Sequence, residues 1–262
     1  MRAISLLYHD VVRAGHPDAS GFPGPGPARY KFDEAEFEMH LQAIGGALSE
    51  RPIAVTDLKT SSQRPLPRLL TVDDGGVSAL RIADLFEERG WRGHFLITGS
   101  RIGTPSFVNE EQLRDLSRRG HALGSHSWSH PERMSRLRRP ELLEEWGRSV
   151  NVLSDILGER VRVASVPGGY YSKEVARAAA QAGIEALFTS EPRTLCRDVE
   201  GCLVLGRFTL WRGMPVELSG AFAAGRTGPR LEQWLAWNLK KVAKTLGGEL
   251  YLKLRKRLVK ES

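Results

Sequence analysis

The sequence predicts an α/β protein built on a largely parallel sheet or barrel. Three observations point there. Short apolar, β-branched runs recur along the 262 residues, helical patterns with their own start and stop signals lie between them, and no internal repeat suggests a solenoid. The composition, 41% hydrophobic and 26% charged, is that of an ordinary globular chain able to bury a sizeable core.

Taken in order, the strands are expected at Ile4–Tyr8, Leu69–Val72, His94–Ile97, Val161–Val166, Ala186–Thr189 and Leu203–Phe208. A helix over Val77–Arg89 stops at Gly90, and a second over Glu110–Arg119 starts from Asn109, with Gln112 placed to complete a capping box. A third, Glu141–Leu157, has Pro140 at its first position and ends at Gly158. A fourth, Lys173–Ala182, is capped by Ser172 and closed by Gly183. Two segments rich in Gly, Pro or polar residues, 15–30 and 60–68, read as surface loops.

Chemistry in parallel α/β folds gathers at the C-terminal ends of strands. The adjacent Asp73 and Asp74 occupy one such end, in LLTVDDGG. A polar turn explains two aspartates there, and so does a pair with divided roles. The second cluster is GHALGSHSWSHP, residues 120–131. His126 and His130 stand four apart, the spacing that puts two rings on one face of a helical turn, although surface or capping histidines also show it. Two His and one carboxylate make an open Zn²⁺ set with positions left for water and substrate.

Taken together, TVDDGG and the later HSWSHP resemble the first two motifs of the polysaccharide deacetylases, the NodB homology group or carbohydrate esterase family 4. LLYHDV, GHFLIT and GHALG add to the resemblance, which spans most of residues 1–210. It implies a distorted (β/α) barrel and metal-dependent removal of an acyl group, usually acetate, from an amino sugar or sugar ester. It also implies Asp73 as general base, and Asp74, His126 and His130 as ligands of a divalent ion, with Zn²⁺ the expected one. His₂Asp sites also accept Co²⁺, Ni²⁺ or Fe²⁺.

Two family features are altered. Where the third motif carries an Arg that orients the base, this chain has Ser165, in ASVPGGYYS. Pro167, Gly168, Gly169 and Tyr170 keep that loop and are expected to meet substrate, although a tight strand-to-helix turn accounts for the glycines equally well. The late motif that supplies an acidic His is matched by LVLGRFTLWRG, which has none. Arg207 there is expected to contact substrate, since a guanidinium does not act as a proton donor near neutral pH. His9, at the end of the first strand, is the expected acid or a substrate contact, with Asp10 a candidate support for its ring and a core or capping role the other reading. His121 reads as structural.

The formal charge of +7 lies in the tail. From Arg226 onward there are ten Lys or Arg against three Glu, so residues 1–225 balance. The expected division is a barrel over 1–225 and a basic amphipathic helical tail over 226–262. In the tail, Leu231, Trp234, Leu235 and Leu239 share one stripe with lysines mostly off it, a pattern that suits an anionic membrane surface or a helix closing the barrel. No nucleic-acid partner is expected, because the aromatic residues fall on the apolar side.

Two cysteines imply no disulfide framework, and no apolar run reaches the length of a signal-peptide core or a spanning helix, so the expected place is the cytoplasm, with contact to the inner membrane face through the tail. The expected partner is a carbohydrate, an N-acylated amino sugar or glycan. The expected function is metal-dependent deacylation of such a sugar in a polysaccharide or glycan precursor. The alternatives are deacylation or deformylation of a polyprenyl-linked amino sugar and a non-catalytic glycan-binding scaffold.

Overall fold

A computed structural model describes residues 1–239. The strands are β1 (Ile4–Tyr8), β2 (Asp10–Val12), β3 (Lys31–Asp33), β4 (Arg68–Val72), β5 (His94–Ile97), β6 (Ala122–Ser125), β7 (Val163–Ser165), β8 (Ala186–Phe188), β9 (Arg197–Val199), β10 (Cys202–Leu205) and β11 (Phe208–Thr209). The helices are α1 (Pro25–Ala28), α2 (Glu34–Ala47), α3 (Ala79–Glu87), α4 (Glu110–Arg118), α5 (Arg139–Leu157), α6 (Lys173–Gln181) and α7 (Val216–Ala223), and a further helix runs over 227–239. Every residue of β1, β5 and β7 is buried, which is why these strands are mostly apolar rather than alternating, with Ser5, His94 and Ser165 the polar exceptions.

Nine strands form one sheet in the order β11-β1-β4-β5-β6-β7-β8-β10-β9, parallel throughout except for the β9–β10 edge pair. β2 and β3 pair separately. The helix signals held where the chemistry was local. Asn109 and Gln112 close the capping box of α4 at 2.8 and 2.9 Å, Ser172 caps α6, and α5 stops at Gly158 with φ +71°.

The expected strand at Leu203–Phe208 is two strands on opposite sides of the sheet order, β10 beside β8 and β11 beside β1. Only Gly206 and Arg207 join them. Three peptide steps span at most about 11 Å, so the sheet must curl until its two sides nearly meet. The expected distorted barrel is therefore a curled half-barrel that the chain steps across at Gly206. A Cβ there would lie 2.3 Å from the Glu191 carbonyl oxygen and 2.7 Å from that of Arg193, so the crossing demands glycine. Gln233, from the 227–239 helix, accepts from the Thr209 N–H at 3.1 Å and donates to its carbonyl at 2.8 Å, which occupies the free edge of β11.

Among the described residues no helix is long and apolar enough to cross a membrane. Leu231, Trp234, Leu235 and Leu239 are exposed on the 227–239 helix. The remainder of the expected tail, 240–262, lies outside the described residues.

Candidate metal centre

Parallel pairing brings the C-terminal ends of neighbouring strands to one mouth, and the candidate residues come with them. β1 delivers His9, β4 delivers Asp73 and Asp74, β6 delivers His126, β7 ends in Ser165, and β10 runs into Arg207. Asp74, with φ +76°, turns back from its neighbour, so the two carboxylates diverge.

The His pair is not on a helical turn. It spans the loop leaving β6, with Ser127 at φ +64° and His130 at φ +57°. This tight bend, rather than helical periodicity, brings the two rings to 5.1 Å between centroids. His126 Nε2 lies 3.4 Å and His130 Nε2 3.7 Å from Asp74 Oδ1, and one donor atom from each of the three residues falls within 4.8 Å of the others. Two donors each about 2.1 Å from one ion at a tetrahedral angle are about 3.4 Å apart, close to both histidine distances from Asp74 Oδ1.

The hydrogen bonds fix the histidine's tautomer. Ser165 Oγ donates to Asp73 Oδ1 at 3.0 Å, and its single proton is then spent. The 2.6 Å contact with His126 Nδ1 must therefore be a donation from the ring. Nε2 is left bare, facing Asp74, which is the state a ligating imidazole needs. Burial lowers the His126 pKa to about 3, so the ring is neutral.

The two carboxylates are pushed in opposite directions. Burial alone would raise both. For Asp73 it is outweighed by Arg207, whose Nη1 and Nη2 donate to Oδ1 and Oδ2 at 2.7 and 2.8 Å and hold the carboxyl well below its usual range. For Asp74 burial wins, reinforced by the negative charges of Asp10 and Asp73, and its pKa rises well above the usual value. Asp74 is thus a buried carboxylate whose charge an incoming cation would offset, beside two neutral imidazoles. The donors fit a divalent metal on their own chemistry.

Arg207, expected to touch substrate, is fully buried and turned inward. Besides Asp73 it donates to Thr71 Oγ1 and to the Thr189 carbonyl oxygen, both at 3.2 Å. Asp73 thus receives its guanidinium from the crossing between β10 and β11, while the loop end of β7 offers it the Ser165 hydroxyl. Pro167 is buried too, whereas Gly168 is exposed and Gly169 and Tyr170 half-buried beyond the end of β7.

His9 reaches the mouth with its ring 5.0 Å from that of Tyr30 and its Nδ1 buried without a hydrogen-bond partner. Burial lowers its pKa to about 4. A ring neutral at pH 7 carries no imidazolium proton to give. Asp10 does not support it: Asp10 Oδ1 accepts from Ser20 Oγ at 2.6 Å and Ser78 Oγ at 2.8 Å. His121 is structural, accepting from the Gly93 N–H at 3.1 Å and meeting Glu87 at 2.8 Å.

The loop over 15–30 is more than surface. Lys31 Nζ donates to the carbonyl oxygens of Pro17, Ser20 and Phe22, and the Phe22 ring rests 4.7 Å from that of His130. Sequence reasoning missed Phe22 and the bridging role of Ser165. Only the second left a signal, the mismatch with the third family motif.

Comparison with known proteins agrees with this geometry. Residues 63–187 match the sequence profile of the polysaccharide deacetylase family. YxkH of Bacillus subtilis, named for that family, is 26% identical over 192 residues, 71% of this chain and 68% of that protein. Chitin deacetylase 1 of Cryptococcus neoformans is 29% identical over 117 residues, 44% of this chain and 24% of that protein, so the chain spans about a quarter of its length. The deacetylase PplD of Streptococcus pyogenes, solved with acetate, shares the fold with a TM-score of 0.68 at 15% identity, covering 83% of this chain and 96% of that one. Both aspartates and both histidines lie inside the segment that matches the polysaccharide deacetylase profile.

Proposed function

We propose that the protein is a metal-dependent hydrolase that removes an acyl group, acetate in the leading case, from an N-acylated amino sugar of a polysaccharide or glycan precursor. The observation that carries this reading is the convergence of Asp74, His126 and His130 donor atoms within 4.8 Å, next to an Asp73 carboxylate clamped by Arg207.

When bound, the divalent ion, Zn²⁺ in this reading, supplies Lewis acidity that polarises the acyl carbonyl and acidifies water. Asp74 Oδ1 and the Nε2 atoms of His126 and His130 would hold it. Asp73 Oδ1 is saturated by Arg207 and Ser165, whereas Oδ2 has one donor and lies 3.9 Å from His126 Nε2, on the metal side. Oδ2 is therefore the atom that accepts the water proton. Water oxygen bonds to the acyl carbon, the C–N bond breaks, and the proton held on Asp73 passes to the leaving nitrogen. His9, neutral and aimed at the mouth, contacts the substrate, as do Gly168, Gly169 and Tyr170.

The test is acetate release from N-acetyl chito-oligosaccharides by protein dialysed against chelator and then given Zn²⁺ or Co²⁺. Metal-dependent release that vanishes in Asp73→Asn supports the reading. Bound metal with no release from any acylated sugar would leave a glycan-binding scaffold, and no bound metal would remove the hydrolase.

A second substrate, a polyprenyl-linked amino sugar at the inner membrane surface, is favoured by the exposed Leu231, Trp234, Leu235 and Leu239. Flotation with anionic vesicles separates the two: protein that stays with the soluble fraction and acts only on soluble sugars excludes the lipid carrier.

A further inference from the structure

We infer that Glu145, on α5, is a positioning residue for the metal ligand His130. The inference rests on the metal-centre reading above and deepens it.

The loop that carries His130 has no regular structure to satisfy its backbone. From Ser127 to His130 every N–H is taken by a side chain. Ser127 N–H goes to Ser125 Oγ at 3.1 Å, and His130 N–H to Ser127 Oγ at 3.1 Å. The two in between, Trp128 and Ser129, converge on one oxygen, Glu145 Oε2, at 3.0 and 2.9 Å. The other oxygen, Oε1, accepts from Ser129 Oγ at 2.6 Å. One carboxylate therefore receives three hydrogen bonds from the two residues immediately before the ligand.

The loop needs such a hold. Ser127 and His130 both take the left-handed backbone region, which non-glycine residues adopt only when their surroundings impose it. The rest of the same α5 face adds to the restraint. Ser149, one turn on, accepts from Ser125 Oγ at 2.7 Å, and the Arg148 guanidinium lies 4.0 Å from the centre of the Trp128 ring. His126 is set differently, by Ser165 at its ring and by the Ile97 carbonyl oxygen at its N–H. Glu145 thus governs one ligand of the three. Its side chain makes no hydrogen bond to Asp74 or to the ring of His130, so its hold on the ligand runs through the loop backbone.

Replacing Glu145 by Leu keeps most of the volume and removes both acceptor oxygens, leaving the Trp128 and Ser129 N–H groups without partners. Gln would not do so, because its oxygen can take both N–H groups and its NH₂ can donate to Ser129 Oγ. The loop then loses its defined bend, His130 Nε2 samples positions away from Asp74, and metal affinity falls. Supports of this kind typically govern affinity by about 10–100-fold.

The experiment is competition of Zn²⁺ against a chromophoric chelator for the wild type, Glu145→Leu and Ser129→Ala, with thermal melts of the metal-free proteins alongside. We expect Glu145→Leu to raise the Zn²⁺ dissociation constant by about 10–100-fold, Ser129→Ala to raise it less, and excess Zn²⁺ to restore most of the activity of Glu145→Leu. A role confined to folding would lower the melting temperature and leave the affinity of the folded protein unchanged. Equal Zn²⁺ affinity in wild type and Glu145→Leu overturns the inference and spares the metal centre. A wild type that binds no Zn²⁺ overturns both.

Discussion

Replacing Arg207 by Met is the perturbation that bears most directly on how the centre is built. The methionine fills much of the same volume but strands the Asp73 carboxylate, which is 3% exposed, without its two guanidinium hydrogen bonds. Removing one partner of a buried ion pair costs about 3–5 kcal/mol. At roughly 2–4 °C per kcal/mol for a chain of this size, the melting temperature should fall by about 6–20 °C. The pH dependence has a definite sign. In the wild type the depressed pKa of Asp73 gives stability that is present above about pH 4, the unfolded carboxylate value, and is lost only as pH falls through the much lower folded one. In Arg207→Met burial is unopposed, the Asp73 pKa rises, and the variant takes up a proton that the wild type refuses. The stability gap should therefore be widest near pH 7 and narrow on acidification. Urea unfolding of chelator-treated protein at pH 7 and pH 5 measures it, with Asp73→Asn and the double variant completing a cycle. A loss under about 1 kcal/mol, or additive single effects in the double variant, would show that the pair does not orient Asp73.

Ser165→Ala removes the acceptor for His126 Nδ1–H while leaving Arg207 on Asp73, so Zn²⁺ affinity should drop by about tenfold or more with the fold kept, as chelator competition would show. Gly124→Ala would push a Cβ to 2.6 Å from the Val163 carbonyl oxygen, a backbone atom that cannot swing away, and should cost about 1–3 kcal/mol in urea unfolding. His94 donates from Nδ1 to the Leu70 carbonyl oxygen and accepts the Val55 N–H at Nε2, both at 2.8 Å, and burial lowers its pKa to about 4. The unfolded chain protonates first, so stability is lost as pH falls from about 6.5 toward 4. His94 alone should remove roughly 2 kcal/mol of it between pH 7 and pH 5, and a flat profile over that range would refute this.

How much of this could be read beforehand depended on how local each cause was. Asn109 with Gln112 and Ser172 with Val175 satisfy backbone groups three residues away, so their sequence spacing already specifies the helix starts. The two-sided burial of β1 and β5 likewise shows in their mostly apolar, non-alternating sequences. β10 and β11 look like one strand because nothing within 203–208 records that the sheet curls back on itself. Helix α2 escaped notice, although Phe37, Leu41 and Ile44 line its buried face, since Gly45 and Gly46 blur its end. At the site, the candidate cluster of Asp74, His126 and His130 could be picked out because it comes from two compact motifs. The partners of Arg207 could not, because Asp73 lies 134 positions away and only the sheet order makes them neighbours.

The step across the half-barrel also sets where this protein can be cut. The matched family segment ends at residue 187, ahead of β8's last residue and all of β10 and β11. A fragment trimmed to that segment would retain every proposed ligand of the ion and yet leave Asp73 without its counter-charge, and would lack the first strand against which β4 pairs. The smallest piece that preserves the proposed site must therefore reach from β1 through β11, because the crossing from β10 to β11 carries the residue that keeps the carboxylate charged.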